Sequence, residues 1–230
     1  MELTQYTWDI KLHDKNGLKY YTIKNVFNEN EIKGFYEMFY ILRPHLLPPE
    51  LSGSAFDNNI KPVKKNSAIF TNQITPYPDI FSDFEKKFGF HRNIFTNLLG
   101  KNNQDSVYSL LPGNINSHNS LISYYNKNND NYKPHFDNSI MTCLIWMNEK
   151  NRNYSGGDLH FLDYDITIQS DENTGILFPS CVKHEVTNIR ITNPLKNKGR
   201  ITYTTFFGND LFYNPEYDEN IKINRRYINW

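Results

Sequence analysis

In the stretch NYKPHFDN, His135 and Asp137 stand two residues apart with Phe136 between them. Residues so spaced leave the same face of an extended segment, so an imidazole and a carboxylate would converge. That is two thirds of the 2-His-1-carboxylate set that holds non-haem Fe(II) with open coordination positions. The pair alone is weak, because His-x-Asp is common in surface turns. A third ligand is expected from a later strand, and His184, in FPSCVKHEVTNI, follows the apolar run TGILFP. Beyond it, GRITYTTFFG predicts a strand with Arg200, Thr202 and Thr204 on one face and Ile201, Tyr203 and Thr205 on the other. An arginine inside a barrel is costly unless it meets an anion. Its fork matches a carboxylate in two bonds, and a neighbouring hydroxyl adds a donor. Considered alone, Arg200 reads equally well as an edge-strand arginine in solvent.

The elements that must carry these residues are mostly strands. From Ser106 onward, short β-prone segments (VYSLL, SLISYY, SIMTCLIWM, DLHFL, ITIQ, TGILFP, HEVTNI and RITYTTFF) alternate with turn material such as NKNNDN, YSGGD and NPLKNKG. Such a series predicts an antiparallel sandwich or barrel of the jelly-roll kind. Upstream, Leu18 to Val26 reads as a strand. FNENEIKGFYEMFYILRP reads as a helix capped by Asn28 or Asn30, with Ile32, Phe35, Tyr36, Phe39 and Tyr40 at helical spacing, ended by Arg43-Pro44. Residues 46–59 read as a surface loop, and a second helix is expected over 80–99. The fold class is therefore mainly β with flanking helices packed on one sheet. The division expected is a single domain over 1–230: a helical, lid-bearing part over about 1–105 and a jelly-roll core over about 106–213.

Composition narrows the function. Lys+Arg and Asp+Glu balance at 25 each, so no overall field draws in nucleic acid or an anionic membrane. Met1 to Ile10 has neither the basic nor the apolar region of a signal peptide, and no apolar run approaches bilayer length. Two cysteines are no disulfide framework; both Cys143 and Cys181 read as buried thiols, and a reducing cytoplasm is expected.

Taken in order, these pieces resemble the Fe(II)- and 2-oxoglutarate-dependent dioxygenases, specifically the prolyl 4-hydroxylase group. The resemblance is best from about Leu121 to Gly208 and rests on YKPHFDN, SGGDLHF, FPSCVKHEV and GRIT. It implies a double-stranded β-helix, the same jelly roll, with His135, Asp137 and His184 as iron ligands. Arg200, assisted by Thr202, would hold the far carboxylate of 2-oxoglutarate. Tyr125 is the expected cosubstrate contact, with Tyr124 the rival one residue away; Leu144 and Trp146 would line the pocket. Some relatives have a cosubstrate-binding tyrosine where this chain has Trp146, so that hydrogen bond is absent or reassigned here. Arg200 lies further from His184 than the family's spacing, which makes RITNPLKN an extra loop; Arg190 is the rival anion binder. The resemblance implies Fe(II), 2-oxoglutarate and O2, with ascorbate as an accessory, and succinate and CO2 as coproducts. A peptidyl proline is the expected substrate; a free amino acid or other small metabolite is the alternative. The rival of another class is a non-catalytic jelly-roll binding module. A zinc hydrolase explains Arg200 poorly. NKNNDN and the segment 46–59 are candidate lids. His160, on the strand DLHFL, reads as ordinary packing before pocket lining, His118 falls in the turn-rich stretch GNINSHNS, and Gly156-Gly157 reads as a turn.

Overall fold

The computed structural model describes residues 8–53, 55, 57, 59, 61–74, 115, 117–148, 152–193 and 199–209, and the backbone of 226–227. The expected helix over 80–99, the strand VYSLL and Pro194 lie outside the described residues.

Asp9–Lys15 (β1) and Leu18–Lys24 (β2) form a hairpin closed by Asn16 and Gly17, whose φ values of 53° and 85° are those of the two-residue turn that Asn-Gly favours. Glu29–Leu42 (α1) follows. Asn28 caps it, and not Asn30: its side chain accepts from the Glu31 N–H at 3.0 Å while the Glu31 carboxylate accepts from the Asn28 N–H at 2.8 Å. The face α1 buries is Phe35, Met38, Phe39 and Leu42, at successive helical intervals, whereas Tyr40 is exposed. After a 3-10 turn at Arg43–His45 come Ser67–Phe70 (β3), Ser117–Tyr125 (β4), Tyr132–His135 (β5), Met141–Trp146 (β6), Tyr154–Gly156 (β7), Leu159–Phe161 (β8), Ile166–Ile168 (β9), Thr174–Pro179 (β10), His184–Val186 (β11), Ile189–Ile191 (β12), Arg200–Gly208 (β13) and Arg226–Tyr227 (β14).

The strands pair as the jelly roll requires. A large sheet runs β1-β2-β10-β6-β13-β4-β14, with β3 also on β4, and a small sheet runs β5-β11-β8-β9. β7 and β12 pair separately. From β4 to β13 the chain passes repeatedly between the two main sheets, so strands distant in sequence become neighbours. The large sheet is covered on both faces, which is why β6 and β13 read as continuous apolar or β-branched runs and not as alternations. Its outer face, with Tyr21, Ile23, Tyr124 and Ile145, meets the buried side of α1. Its inner face, with Tyr20, Leu144, Trp146 and Phe178, meets Leu159 and Phe161 of the small sheet. No helix among the described residues is long and apolar enough to cross a membrane.

The segment 46–59 is more structured than a surface loop. Leu47 pairs with Ala68 through two backbone hydrogen bonds of 2.9 Å. Val63 N–H donates to the Ala55 carbonyl, and Asp57 N–H to that of Lys61, each at 2.9 Å, so 55–63 folds back as a ribbon. Lys65 N–H to Asn131 O and Lys133 N–H to Val63 O, again at 2.9 Å, bind this ribbon to the free edge of β5. NKNNDN is likewise tied down: the Asp130 carboxylate accepts from the Asn126 and Lys127 N–H groups, and Asn129 N–H donates to Ile189 O.

Lys64 in the ribbon is 2% exposed and has no carboxylate partner among the described residues; its ammonium donates to Ser52 O at 2.6 Å and lies 5.9 Å from the centre of the Tyr132 ring. Burial lowers its pKa from 10.5 to about 8. Below pH 8 both folded and unfolded chains hold the proton and the folded state bears the full penalty. Between about pH 8 and 10.5 the unfolded chain binds more protons, so stability rises with pH, by about 3 kcal/mol for this shift. Burial pushes the Cys143 thiol up, so over this range it ionises only in the unfolded chain and opposes the rise; the difference in urea-unfolding stability between wild type and Lys64→Met, followed over about pH 8–10.5, is therefore expected to show the Lys64 contribution.

Candidate active site

β5 and β11 lie side by side with His135 directly opposite His184, so the sheet register alone brings the two imidazoles together. The His135 Nδ1 is 2.8 Å from Lys133 O and the His184 Nδ1 is 2.9 Å from Val182 O. A carbonyl can only accept, so each Nδ1 carries the proton and each Nε2 presents its lone pair inward. Asp137 is not on the strand as the spacing argument assumed. β5 ends at His135, and Asp137 sits in the connection beyond it, held by its N–H to Ser180 O at 3.2 Å. Its carboxylate nevertheless completes the set, with His135 Nε2 at 3.6 Å from Oδ1 and His184 Nε2 at 3.5 Å from Oδ2. One donor atom from each of the three lies within 4.8 Å of the others.

Electrostatics suit a cation at this point. Burial, and then the neighbouring His184, hold the His135 pKa down at about 3, so the ring is a neutral donor. Burial pushes the Asp137 carboxyl above its usual range against the pull of His184 and the Thr142 hydroxyl. A metal ion reverses that cost by supplying the missing positive charge. Thr142 Oγ1 donates to Asp137 Oδ2 at 2.6 Å; Ser180 Oγ lies 2.9 Å from Thr142, and Ser139 Oγ 2.6 Å from Ser180. Thr142 has one hydroxyl proton and gives it to the carboxylate, so Ser180 donates to Thr142 and Ser139 to Ser180. This chain of hydroxyls fixes the carboxylate's orientation. Tyr132 stacks on His135 with centroids 3.5 Å apart and accepts the Ala55 N–H at 3.1 Å, which joins the ribbon to the ligand. Two imidazoles whose Nδ1 protons are held on carbonyls, and one carboxylate, fit Fe(II) by donor chemistry.

Arg200 opens β13 opposite Tyr125 and is fully buried. None of the three guanidinium nitrogens makes a well-formed hydrogen bond among the described residues, although the Tyr125 hydroxyl approaches the group; the Tyr125 ring centre lies 4.8 Å from the guanidinium carbon. Burial lowers the Arg200 pKa, opposed by Tyr125, Tyr154 and Asp158, and pushes the Tyr125 hydroxyl up to about 12. Thr202 follows on the same face, opposite Trp146, and Thr204 stands opposite Leu144. Tyr124 points away, under Phe39 and Arg43 of the α1 layer, which separates it from its rival Tyr125. Arg190 is exposed on β12, away from this interior. The sequence expectation of an extra loop holds for less of the chain than assumed, since Ile189–Ile191 is a strand paired with β7.

Three readings change. Cys181 is exposed and not a buried thiol. His118 lies buried in β4 and not in a turn. Gly157 does more than turn the chain. At φ 76° it is left-handed, and a Cβ there would lie 2.7 Å from Arg200 Cδ and 2.9 Å from Ile189 Cγ2. Gly157→Ala is therefore expected to displace Arg200, destabilise the fold by about 1–3 kcal/mol and weaken 2-oxoglutarate binding by about tenfold, read by calorimetry. Tyr154, on β7 in one cluster with Tyr125, was not singled out by sequence; nothing in its spacing marks it, because β7 reaches Arg200 only through its pairing with β12. His160 faces outward and bonds Glu185 at 3.1 Å, as its packing reading implied.

A jelly roll with two imidazoles and a carboxylate near a buried, unneutralised arginine is the architecture of a non-haem iron oxygenase that uses an anionic cosubstrate. Residues 120–208 match the family model of the 2OG-Fe(II) oxygenase superfamily. No curated protein matches the chain. Among solved structures, a prolyl hydroxylase from Trichoplax adhaerens in complex with a hypoxia inducible factor oxygen degradation domain peptide fragment is 12% identical, with a TM-score of 0.57 over 83% of each chain. A Pseudomonas putida prolyl-4-hydroxylase is 10% identical, with a TM-score of 0.49 over 83% of this chain and 92% of that one. The viral collagen prolyl hydroxylase of Paramecium Bursaria Chlorella virus-1 is 12% identical, with a TM-score of 0.49 over 82% and 96%. The Trichoplax structure shares the fold of this chain. Residues 120–208 are thus similar to the 2OG-Fe(II) oxygenase superfamily, the fold is the prolyl-hydroxylase form of the jelly roll, and the match and the site together support a 2-oxoglutarate-dependent dioxygenase.

Proposed function

We propose that the protein hydroxylates an unactivated C–H bond of a peptide, a peptidyl proline first among the choices. His135, Asp137 and His184 hold Fe(II); Arg200 and Thr202 hold the far carboxylate of 2-oxoglutarate; Tyr125, Leu144 and Trp146 wall the cosubstrate. Bound iron and 2-oxoglutarate supply the oxidation by O2, with succinate and CO2 as coproducts. The chain's residues orient the carboxylate ligand, keep the His135 imidazole neutral and exclude water from Arg200.

The observation that carries the peptide reading is a cleft of about 580 Å³ that reaches Asp137 from the end of β13 opposite Arg200. Phe70, Phe136 and Phe206 supply aromatic surface, and Asn119, Asn138 and Asn209 supply amides. Asp137 is the one charged side chain in its described lining. A free amino acid would bring an ammonium and a carboxylate into that cleft without partners, whereas a peptide segment is neutral along its backbone. The Trichoplax relative, by its description, is in complex with a peptide fragment, which supports the same choice. The unpaired state of both cysteines supports a reducing cytoplasm as the place of action.

Anaerobic Fe(II) protein is expected to gain a weak visible charge-transfer band on adding 2-oxoglutarate. No band, with iron shown to be bound, overturns the oxygenase assignment. Mass spectrometry of proline-containing peptides and of free amino acids, with and without ascorbate, then separates the substrates. Oxygen added to free amino acids alone would sink the peptide reading.

A further inference from the structure

The large sheet ends on β1, and among the described residues no strand pairs with β1 on the side away from β2. Its other edges, and those of the smaller sheets, are short or covered. β7, β9, β12 and β14 have two or three residues each, Leu47 bonds to β3, and the ribbon covers β5. β1 has seven residues, keeps an unbroken register with β2, and contains neither proline nor bulge. An edge of that length, with its outward N–H and C=O groups, is a template for another strand. Ile10 and Leu12 on it are large apolar side chains, 38% and 42% exposed. They stand opposite Ile23 and Tyr21, so they extend the apolar face beneath α1 out to the edge.

The hairpin fixes which groups face outward. Its two-residue turn makes Lys15 and Leu18 a hydrogen-bonded pair, so alternate residues back to Asp9 bond to β2. The N–H and C=O of Ile10, Leu12 and Asp14 therefore point away from β2. Lys11 and Lys15 oppose pairing with an arbitrary strand, but a second β1 is self-complementary. In an antiparallel pair centred on Leu12, Asp9 of each copy opposes Lys15 of the other, and Leu12 opposes Leu12. Ile10 opposes Asp14, which Lys19 of its own chain already holds. Lys11 opposes His13, whose pKa burial lowers, so that ring is neutral at pH 7. Moving the centre one residue either way brings Lys11 against Lys11, or Lys11 against Lys15. Charge thus selects one register.

We infer that the protein forms a two-fold symmetric dimer in which the β1 edges of two copies pair antiparallel about Leu12, joining their large sheets into one. β2, β10 and β6 stand between β1 and the cleft strands β13 and β4, so the pairing leaves both clefts open.

Sedimentation equilibrium of the full chain is expected to show a monomer–dimer equilibrium with a Kd on the order of 10 μM, weak because one strand pair buries less than a standard interface. Lys15→Asp sets like charges against each other at both ends of the pair and is expected to raise the Kd about tenfold. Adding Asp9→Lys to the same chain restores both opposite-charge pairs and is expected to bring the Kd back to within about threefold of wild type. A wild-type chain that stays monomeric up to ~1 mM overturns the inference. So does a dimer that Lys15→Asp leaves unchanged, or one that the charge swap fails to restore. A second measurement needs no variant. Amide hydrogen exchange of the wild-type chain, followed by NMR, should slow with rising protein concentration at Ile10, Leu12 and Asp14, and not at Lys11 and His13, which already bond to β2. No such contrast overturns the inference even if a variant does not fold.

Discussion

Replacing Arg200 with methionine is expected to weaken 2-oxoglutarate binding at least ~100-fold while making the apo protein more stable. The two effects share one cause. Arg200 is fully buried, and its desolvation is offset among the described residues by no well-formed hydrogen bond, only by the approach of the Tyr125 hydroxyl and ring. A guanidinium in that state costs several kcal/mol, and methionine fills similar space without a charge. In the proposed complex the same guanidinium would form a charge-assisted, two-bond contact with a carboxylate, worth about 3 kcal/mol or roughly 100-fold in affinity. Arg200→Lys keeps a charge but loses the fork, so an intermediate affinity is expected. Calorimetry with 2-oxoglutarate and urea unfolding without it measure the two sides separately. A methionine variant that binds as tightly as wild type would remove Arg200 from the cosubstrate site.

His184→Ala is the second change with a large expected effect. It takes one of three inward-facing donors from a site whose other two are already set by Lys133 O and Thr142. Fe(II) affinity should fall by more than ~100-fold and turnover should vanish, exceeding the 10–100-fold that loss of an outer partner costs. Thr142→Val provides that comparison, because it removes only the hydrogen bond that orients Asp137, and its loss should fall within the 10–100-fold range. Metal titration under anaerobic conditions reads both. Equal affinities for the His184 variant and wild type would place the iron elsewhere.

Much of this site was legible because its chemistry is concentrated in a few residue types. His135, Asp137, His184 and Arg200 are costly to bury without a purpose, and each lies next to strongly β-prone sequence. The alternation in GRITYTTFFG correctly placed Thr202 and Thr204 beside Arg200. Composition and turn spacing also gave the jelly roll. What stayed hidden depends on pairing between distant segments. Tyr154 approaches Arg200 only because β7 pairs with β12. The segment 46–59 looked like a loop because it carries Pro, Gly, Ser and Asn, and the order found at Leu47, Ala55 and Asp57 comes from backbone bonds to Ala68, Val63 and Lys61. The placement of Asp137 beyond the strand end was also invisible, since a period of two cannot show where hydrogen bonding stops.

Tyr132 has one face on the ligand His135 and its hydroxyl on the ribbon backbone at Ala55. The iron and the substrate cleft, whose wall includes Ala55, therefore share a side chain. If metal binding stiffens His135 and the ribbon with it, substrate bound against the ribbon would tighten the metal by the same factor. Loading the enzyme with iron and closing it over its substrate become two readings of a single linked equilibrium.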